Sequence, residues 1–140
     1  MSDVVIDASI AAKWFFPEVH SDRAQRLLSG RTTLLAPDLI LAEFANVAWK
    51  RFRRREITAD QAGAIVGDFL RFPVRIFPSA RIIPAALDVA LGTGRTLYDG
   101  LYVALALDRA CRLVTADERL VNALSAGPFA DHVVWIGQKR

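Results

Sequence analysis

The chain has 140 residues, of which 53% are hydrophobic, and its 18 lysines and arginines against 15 acids give a net charge of +3. This length suits a single domain over residues 1–140, and the hydrophobic content excludes a disordered chain. No apolar run reaches the roughly 18 to 20 residues that span a bilayer, so we expect no membrane association. The single cysteine, Cys111, excludes an internal disulfide and is typical of a cytoplasmic protein.

Short apolar stretches alternate with helical patterns along the chain. The first predicted strand, at residues 4–7, leads into a helix at 8–16 that Pro17 ends. Further strands are predicted at 33–36, 74–77, 112–115 and 133–136. Further helices are predicted at about 22–29, 39–53, 58–69, 82–91, 99–108 and 118–124. The helix at 39–53 is apolar on nearly every face, which predicts that it is buried.

This alternation indicates a central parallel sheet covered on both faces, and therefore a three-layer α/β/α sandwich. In such sheets, ligands bind beyond the carboxyl ends of the strands, where the strand order reverses. Asp7 closes the first predicted strand, and Asp117 follows the fourth by two residues. If these two strands are neighbours, the two acids converge at one edge of the sheet.

Three acids, Asp7, Glu43 and Asp99, are each the only charge in a long apolar stretch. Burying an isolated carboxylate costs several kcal/mol unless it is paired or binds a metal. No basic partner is evident nearby in the sequence, so we expect these acids to meet around a divalent cation. A set of carboxylate oxygens selects Mg²⁺ or Mn²⁺ rather than Zn²⁺.

A structural explanation also exists for some of these residues. Asp7, Asp99 and Asp117 all lie near predicted helix N-termini, where aspartate is a favoured cap. Glu43 lies inside a helix and has no capping role. Ser9 and Thr115 can cap the turns beside them or hydrogen-bond the carboxylates, and we expect each to do both.

The segment from Lys50 to Arg55 carries five cations in six residues: Lys50, Arg51, Arg53, Arg54 and Arg55. If four acids form one site, 18 basic residues face only 11 remaining acids, which suits a metal site that handles a polyanion. The segment is either a nucleic-acid contact or a solvated helix end that complements the helix dipole. The aromatic residues Trp14, Phe15, Phe16, Trp49 and Trp135 are mostly core candidates, although the first three form a run that could also line a groove for another protein.

Four segments, taken in order, resemble a known family: Val-Val-Ile-Asp7-Ala-Ser9, Ala-Glu43-Phe-Ala-Asn46, Leu-Tyr-Asp99-Gly-Leu-Tyr-Val-Ala-Leu-Ala and Leu-Val-Thr115-Ala-Asp117. They are similar to the motifs of PIN-domain ribonucleases, and most of all to the VapC toxins of bacterial toxin–antitoxin pairs. The resemblance implies that the four acids bind Mg²⁺ or Mn²⁺, with Ser9, Asn46 and Thr115 around them. It also implies an endoribonuclease toxin with an RNA substrate and a cognate antitoxin.

One position departs from the family pattern. Many members have alanine after the third acid, where this chain has Gly100, which we expect to loosen the start of that helix. We also expect a homodimer, although no residue pattern carries that expectation.

Two other functions remain as alternatives. A small phosphatase with an aspartyl nucleophile would want a second acid at the position of Ser9 and a well-placed lysine. A non-catalytic module that binds RNA or protein would gain little from keeping four acids that repel phosphate.

Overall fold

The computed structural model describes residues 2–139, so Met1 and Arg140, the ends of the predicted domain, lie outside the described residues. In residues 2–139, five parallel strands form one sheet. The strands are β1 (Ser2–Ile6), β2 (Thr32–Pro37), β3 (Val74–Phe77), β4 (Arg112–Thr115) and β5 (Val133–Trp135). All five predicted strands are therefore confirmed to within two residues at each end.

Within the described residues, seven α-helices and one short 3-10 helix, Ala130–His132, connect and flank the strands. The α-helices are α1 (Ala8–Phe15), α2 (Ser21–Arg26), α3 (Leu39–Arg53), α4 (Ala59–Phe69), α5 (Ser79–Thr93), α6 (Leu97–Asp108) and α7 (Glu118–Leu124). Thr58 and Gln61 form the predicted capping box before α4. Within residues 2–139, no helix is both long and apolar enough to cross a membrane.

The strand order is β3-β2-β1-β4-β5, so the chain winds outward from β1 in one direction and then returns to wind in the other. β1 and β4 are paired neighbours at the centre, with Ile6 opposite Val114. The order reverses between these two strands, and the crevice at their carboxyl ends is where a ligand is expected. The predicted neighbourhood of the strands that precede Asp7 and Asp117 is therefore confirmed.

The helices form the two outer layers of the predicted α/β/α sandwich. α1 packs on α2 and α3, and α3 packs on α4, whereas α5 packs on α6 and α6 lies against β1, β2 and β4. Right-handed crossovers on the two sides of β1 place these groups on opposite faces of the sheet. One continuous core joins them, with Val5, Leu35 and Leu113 from the strands all fully buried.

The expectation that α3 is buried on nearly every face is wrong. Only Ile40, Phe44 and Ala48, spaced four residues apart, are buried, because they form the single stripe that packs inward. Trp49 is 51% exposed and is not a core residue, whereas Trp14 is only 8% exposed and donates its indole N–H to Ala24 O.

The packing of α5 on α6 also changes the interpretation of Gly100. A Cβ at this buried position would lie 2.5 Å from the Ala86 carbonyl oxygen of α5, closer than real atoms approach. Glycine therefore allows close contact between the two helices. α6 begins at Leu97 with Thr96 as its cap, and the expected loosening of its start stays a prediction. α5 begins at Ser79, earlier than predicted, and continues through Pro84.

Candidate active site

Asp7 follows β1 and caps α1, so its carboxylate lies at the carboxyl end of the central strand. Oδ1 accepts hydrogen bonds from the Ser9 hydroxyl and from the backbone N–H groups of Ser9 (3.1 Å) and Ile10 (3.3 Å). The Thr115 hydroxyl donates to Oδ2 over 2.5 Å. Burial raises the pKa of the Asp7 carboxyl above its ordinary value, and these hydrogen bonds only partly oppose that effect. Asp7 is thus both a helix cap and a carboxylate held by two hydroxyls.

Asp117 reaches the same edge from β4. It caps α7, where its Oδ1 accepts a hydrogen bond from Leu120 N over 3.2 Å. Its own backbone N–H donates to Thr115 Oγ1 over 3.0 Å, and Thr115 in turn donates to Asp7. Thr115 therefore links the Asp117 backbone to the Asp7 carboxylate.

Glu43 lies in the middle of α3 and is partly buried rather than fully enclosed. Its Oε1 accepts a hydrogen bond from the Tyr102 hydroxyl of α6. Burial raises the pKa of the Glu43 carboxyl, and repulsion from Asp7 and Asp99 raises it further, while the Tyr102 hydrogen bond opposes both. Burial and the Glu43 charge also raise the pKa of the Tyr102 hydroxyl, which keeps it a hydrogen-bond donor.

Asp99 is the third residue of α6, with Thr96 rather than Asp99 as the cap. Its Oδ2 forms an ion pair with Arg95, at 3.2 Å from a terminal guanidinium nitrogen and 3.3 Å from Nε. The expectation that Asp99 has no basic partner nearby in the sequence is therefore wrong. Arg95 precedes it by four residues, and the turn before α6 brings the two side chains together.

Three carboxylates interact electrostatically at this edge, since Asp7 and Asp99 both repel Glu43. Within residues 2–139, however, no three carboxylate, imidazole or thiol groups come together closely enough to hold one metal ion. Asp7, Glu43 and Asp99 are each engaged by a hydroxyl or guanidinium of the protein itself. Their oxygen donors are nevertheless those that Mg²⁺ and Mn²⁺ prefer, and a cation would relieve their repulsion, so the residues fit such an ion.

Asn46, the remaining residue that the resemblance places at the site, is exposed on α3 one turn after Glu43. The basic segment that follows it, residues 50–55, lines two different cavities. One cavity, of about 290 Å³, is lined by Lys50, Arg51 and Arg54 and also by Ser9. Arg53 stacks over the Trp49 ring at 5.2 Å and, with Arg55, lines a different cavity of about 520 Å³.

Sequence reasoning missed several residues of this region. Tyr102 gave one usable signal, because it lies three residues after Asp99 and so on the same side of a helix. Lys13 and Glu18 form an ion pair (3.3 Å) beside Ser9, and Glu18 also pairs with Arg51. No local pattern indicates the contact between Glu18 and Arg51, because the two residues come from separate elements.

The profile of the PIN domain family matches residues 4–123. Ribonuclease VapC3 of Pyrobaculum aerophilum is 34% identical over 125 residues, which cover 88% of this chain and 95% of that relative. The crystal structure of PAE2754 from the same organism has a TM-score of 0.71 at 22% identity and covers 96% of this chain and 84% of its own. A chain in a toxin–antitoxin complex from Klebsiella pneumoniae has a TM-score of 0.63 at 14% identity, covering 97% of this chain and 99% of its own. These two structures have the fold described above.

Proposed function

This chain belongs to the PIN domain family, and we propose that it is a metal-dependent endoribonuclease that serves as the toxin of a toxin–antitoxin pair. The reaction is hydrolysis of an RNA phosphodiester bond. The family membership and the name of the VapC3 relative support the ribonuclease activity. The observation that carries the chemistry is the group of three carboxylates at the strand switch point, where Asp7 and Asp99 both repel Glu43.

Asp7, Glu43, Asp99 and Asp117 would hold the cation, which we propose to be Mg²⁺ or Mn²⁺. When bound, such an ion offsets the charge of the phosphate and lowers the pKa of water for attack. Asp7 and Asp99 are the ligands that we consider strongest. The hydroxyls of Ser9 and Thr115 fix the Asp7 carboxylate, and Tyr102 fixes Glu43, so these groups orient the acids before the cation arrives.

The basic segment at the end of α3 supports RNA as the polyanion. We propose that Lys50, Arg51, Arg53, Arg54 and Arg55 help to hold its backbone, as the sequence suggested. Arg51 has a second, structural task, because it pairs with Glu18 and Glu56 and stacks over the Phe16 ring at 4.2 Å. Direct RNA contact therefore falls mainly to its exposed neighbours.

We further propose two protein partners. The first is a cognate antitoxin, supported by the toxin–antitoxin complex from Klebsiella pneumoniae, whose chain has this fold.

The second proposed partner is another copy of the chain. Ile83, Leu87 and Leu91 recur every four residues on α5 and are 42%, 48% and 75% exposed, an apolar stripe that supports a homodimer. Because cellular RNA lies in the cytoplasm, we propose that the protein acts there. We also propose that residues 1–140 form one domain.

Incubation of the purified protein with single-stranded RNA tests the activity. We expect cleavage with Mg²⁺ or Mn²⁺ and none after EDTA, because the acids alone repel phosphate. Robust cleavage in EDTA would overturn the metal-dependent mechanism. Hydrolysis of a small phosphate ester in place of RNA would favour the phosphatase alternative, although Ser9, which hydrogen-bonds Asp7, stands where that chemistry wants a second acid.

A further inference from the structure

The cavity of about 290 Å³ between α1 and α3 opens directly beside the candidate active site. Ser9 and Ala116 line it. The Ser9 hydroxyl donates to Asp7 and accepts a hydrogen bond from Ala116 N over 2.9 Å, and Ala116 lies between Thr115 and Asp117. Anything that fills this cavity therefore lies next to the acids without displacing them.

The charge of the cavity is opposite to that of the acids. Four cations and one acid line it: Lys13, Lys50, Arg51, Arg54 and Glu18. Glu18 is shared by two of the cations, since it pairs with Lys13 Nζ and with Arg51, and Lys13 also donates to Val19 O over 2.6 Å. Among residues 2–139, neither Lys50 nor Arg54 has an ion pair or side-chain hydrogen-bond partner. Lys50 and Arg54 are thus the two unpaired cations of the cavity, and Glu18 holds Lys13 and Arg51 in ion pairs beside them.

Helical spacing explains why only part of the basic segment faces this cavity. Lys50 and Arg51 each lie three or four residues from both Val47 and Arg54, so the four side chains share one face of α3. Arg53 lies off that face, held over Trp49. Neighbouring arginines with the same chemistry therefore lie in different surroundings.

We propose that this cavity binds a backbone phosphate of the RNA next to the phosphate that is cleaved, with Lys50 and Arg54 as its direct contacts. The inference rests on the proposed ribonuclease function. In the absence of a cation the acids repel phosphate, so residues next to the acids must hold the RNA. The cavity is the cationic surface that adjoins the acids. A flanking phosphodiester offers the charge and the oxygen acceptors that an ammonium and a guanidinium group bind.

The test compares Arg54→Gln with Arg31→Gln, a matched control at an exposed arginine just before β2, at the edge of the sheet opposite the acids. Binding of a fluorescent single-stranded RNA is measured by anisotropy in EDTA, where no cleavage is expected, over a range of salt concentrations. We expect Arg54→Gln to weaken binding several-fold and to reduce the salt slope by about 0.7, the value for one lost phosphate contact on a single strand. Arg31→Gln should stay close to the wild type. Equal losses in the two variants would overturn the subsite.

A second measurement locates the phosphate. RNAs that each carry one neutral methylphosphonate linkage are bound to the wild type and to Arg54→Gln. At the linkage beside the cleavage site, we expect neutralisation to weaken wild-type binding but to add no further loss in Arg54→Gln. Losses that add at every linkage would overturn the proposal. RNA cleavage that persists with Mn²⁺ would then leave the ribonuclease function standing, whereas a wild type that neither binds nor cuts RNA would overturn both.

Discussion

Thr115 donates its hydroxyl proton to Asp7 Oδ2 over 2.5 Å, which ties the end of β4 to the end of β1. The same hydroxyl oxygen accepts a hydrogen bond from the Asp117 N–H. One side chain therefore hydrogen-bonds to the residues that follow both strands, at the point where the strand order reverses. Thr115 is fully buried, so solvent does not compete for its hydroxyl. The Asp7 carboxylate is thus preorganised by the fold itself, although burial makes its charge unfavourable.

The first prediction concerns Asp7→Asn. We expect activity to fall by orders of magnitude, because a cation ligand is lost, while the metal-free fold survives. The amide oxygen can still accept the bonds from Ser9 and Ile10, and the Thr115 hydroxyl can turn to accept from the amide nitrogen. RNA cleavage with Mn²⁺ and circular dichroism measure the two effects. Near-native activity would show that Asp7 is not a ligand.

The pH dependence of that variant is a second prediction. The pKa of Asp7 in the folded chain is raised above its ordinary value of 3.8. At a pH between the ordinary pKa and the raised pKa, the folded state therefore keeps a proton on Asp7 that the unfolded state has released. Stability of the metal-free wild type is therefore lost as pH rises through this window, at about 1.4 kcal/mol for each pH unit that the window spans.

Asp7→Asn removes that loss. We expect the two proteins to have similar melting temperatures near pH 4 and the variant to gain an advantage as pH rises towards 7, measured in EDTA. Glu43, whose pKa is also raised, contributes in the same direction, and because repulsion from Asp7 is part of that shift, Asp7→Asn also reduces the Glu43 contribution and widens the difference. A difference in melting temperature that does not vary with pH would contradict the prediction.

The third prediction is that Arg95→Gln binds Mn²⁺ more tightly than the wild type. Arg95 pairs with Asp99 and places a positive charge where the cation is proposed to bind, so its removal should strengthen binding by about tenfold. Calorimetry measures this directly. Arg109→Gln is the control, because Arg109 pairs with Asp3 (3.8 Å), near the amino end of β1 and away from the site. Weaker Mn²⁺ binding by Arg95→Gln would instead show that Arg95 orients Asp99.

The fourth prediction tests the contact between α5 and α6. Gly100→Ala should lower the free energy of unfolding by about 1 to 3 kcal/mol, because its Cβ would meet the Ala86 carbonyl oxygen and force the helices apart. Gly63→Ala in α4 is the matched control. It lies in an exposed helix with nothing near the added Cβ, so it should stabilise by about 0.5 to 1 kcal/mol. Urea denaturation measures both. A Gly100→Ala variant as stable as the wild type would show that α5 can move aside.

Local patterns were sufficient to predict the sheet and the edge that bears the acids, because strand alternation and the strand ends at Asp7 and Asp117 are visible in sequence. They were insufficient for the surroundings of each acid. The hydrogen bond between Tyr102 and Glu43 joins two helices from distant parts of the chain. Arg95 was overlooked because it precedes α6, and the exposure of Trp49 depends on which stripe of α3 packs inward. Such features arise from packing between elements rather than from local periodicity.

The last prediction is that the cognate antitoxin competes with Mn²⁺. The three repelling carboxylates attract any cation, and an arginine or lysine from the antitoxin can supply that charge without a metal. Trp14 is buried, so its ring does not line the groove for another protein that the Trp14-Phe15-Phe16 run suggested, and we expect the antitoxin to make its apolar contacts with exposed residues such as Trp49 and Phe52. Titration of the antitoxin with and without excess Mn²⁺ should show weaker binding when the metal is present, and replacement of the basic residue should abolish the difference. An affinity that ignores both the metal and that replacement would place the inhibitory contact away from the acids.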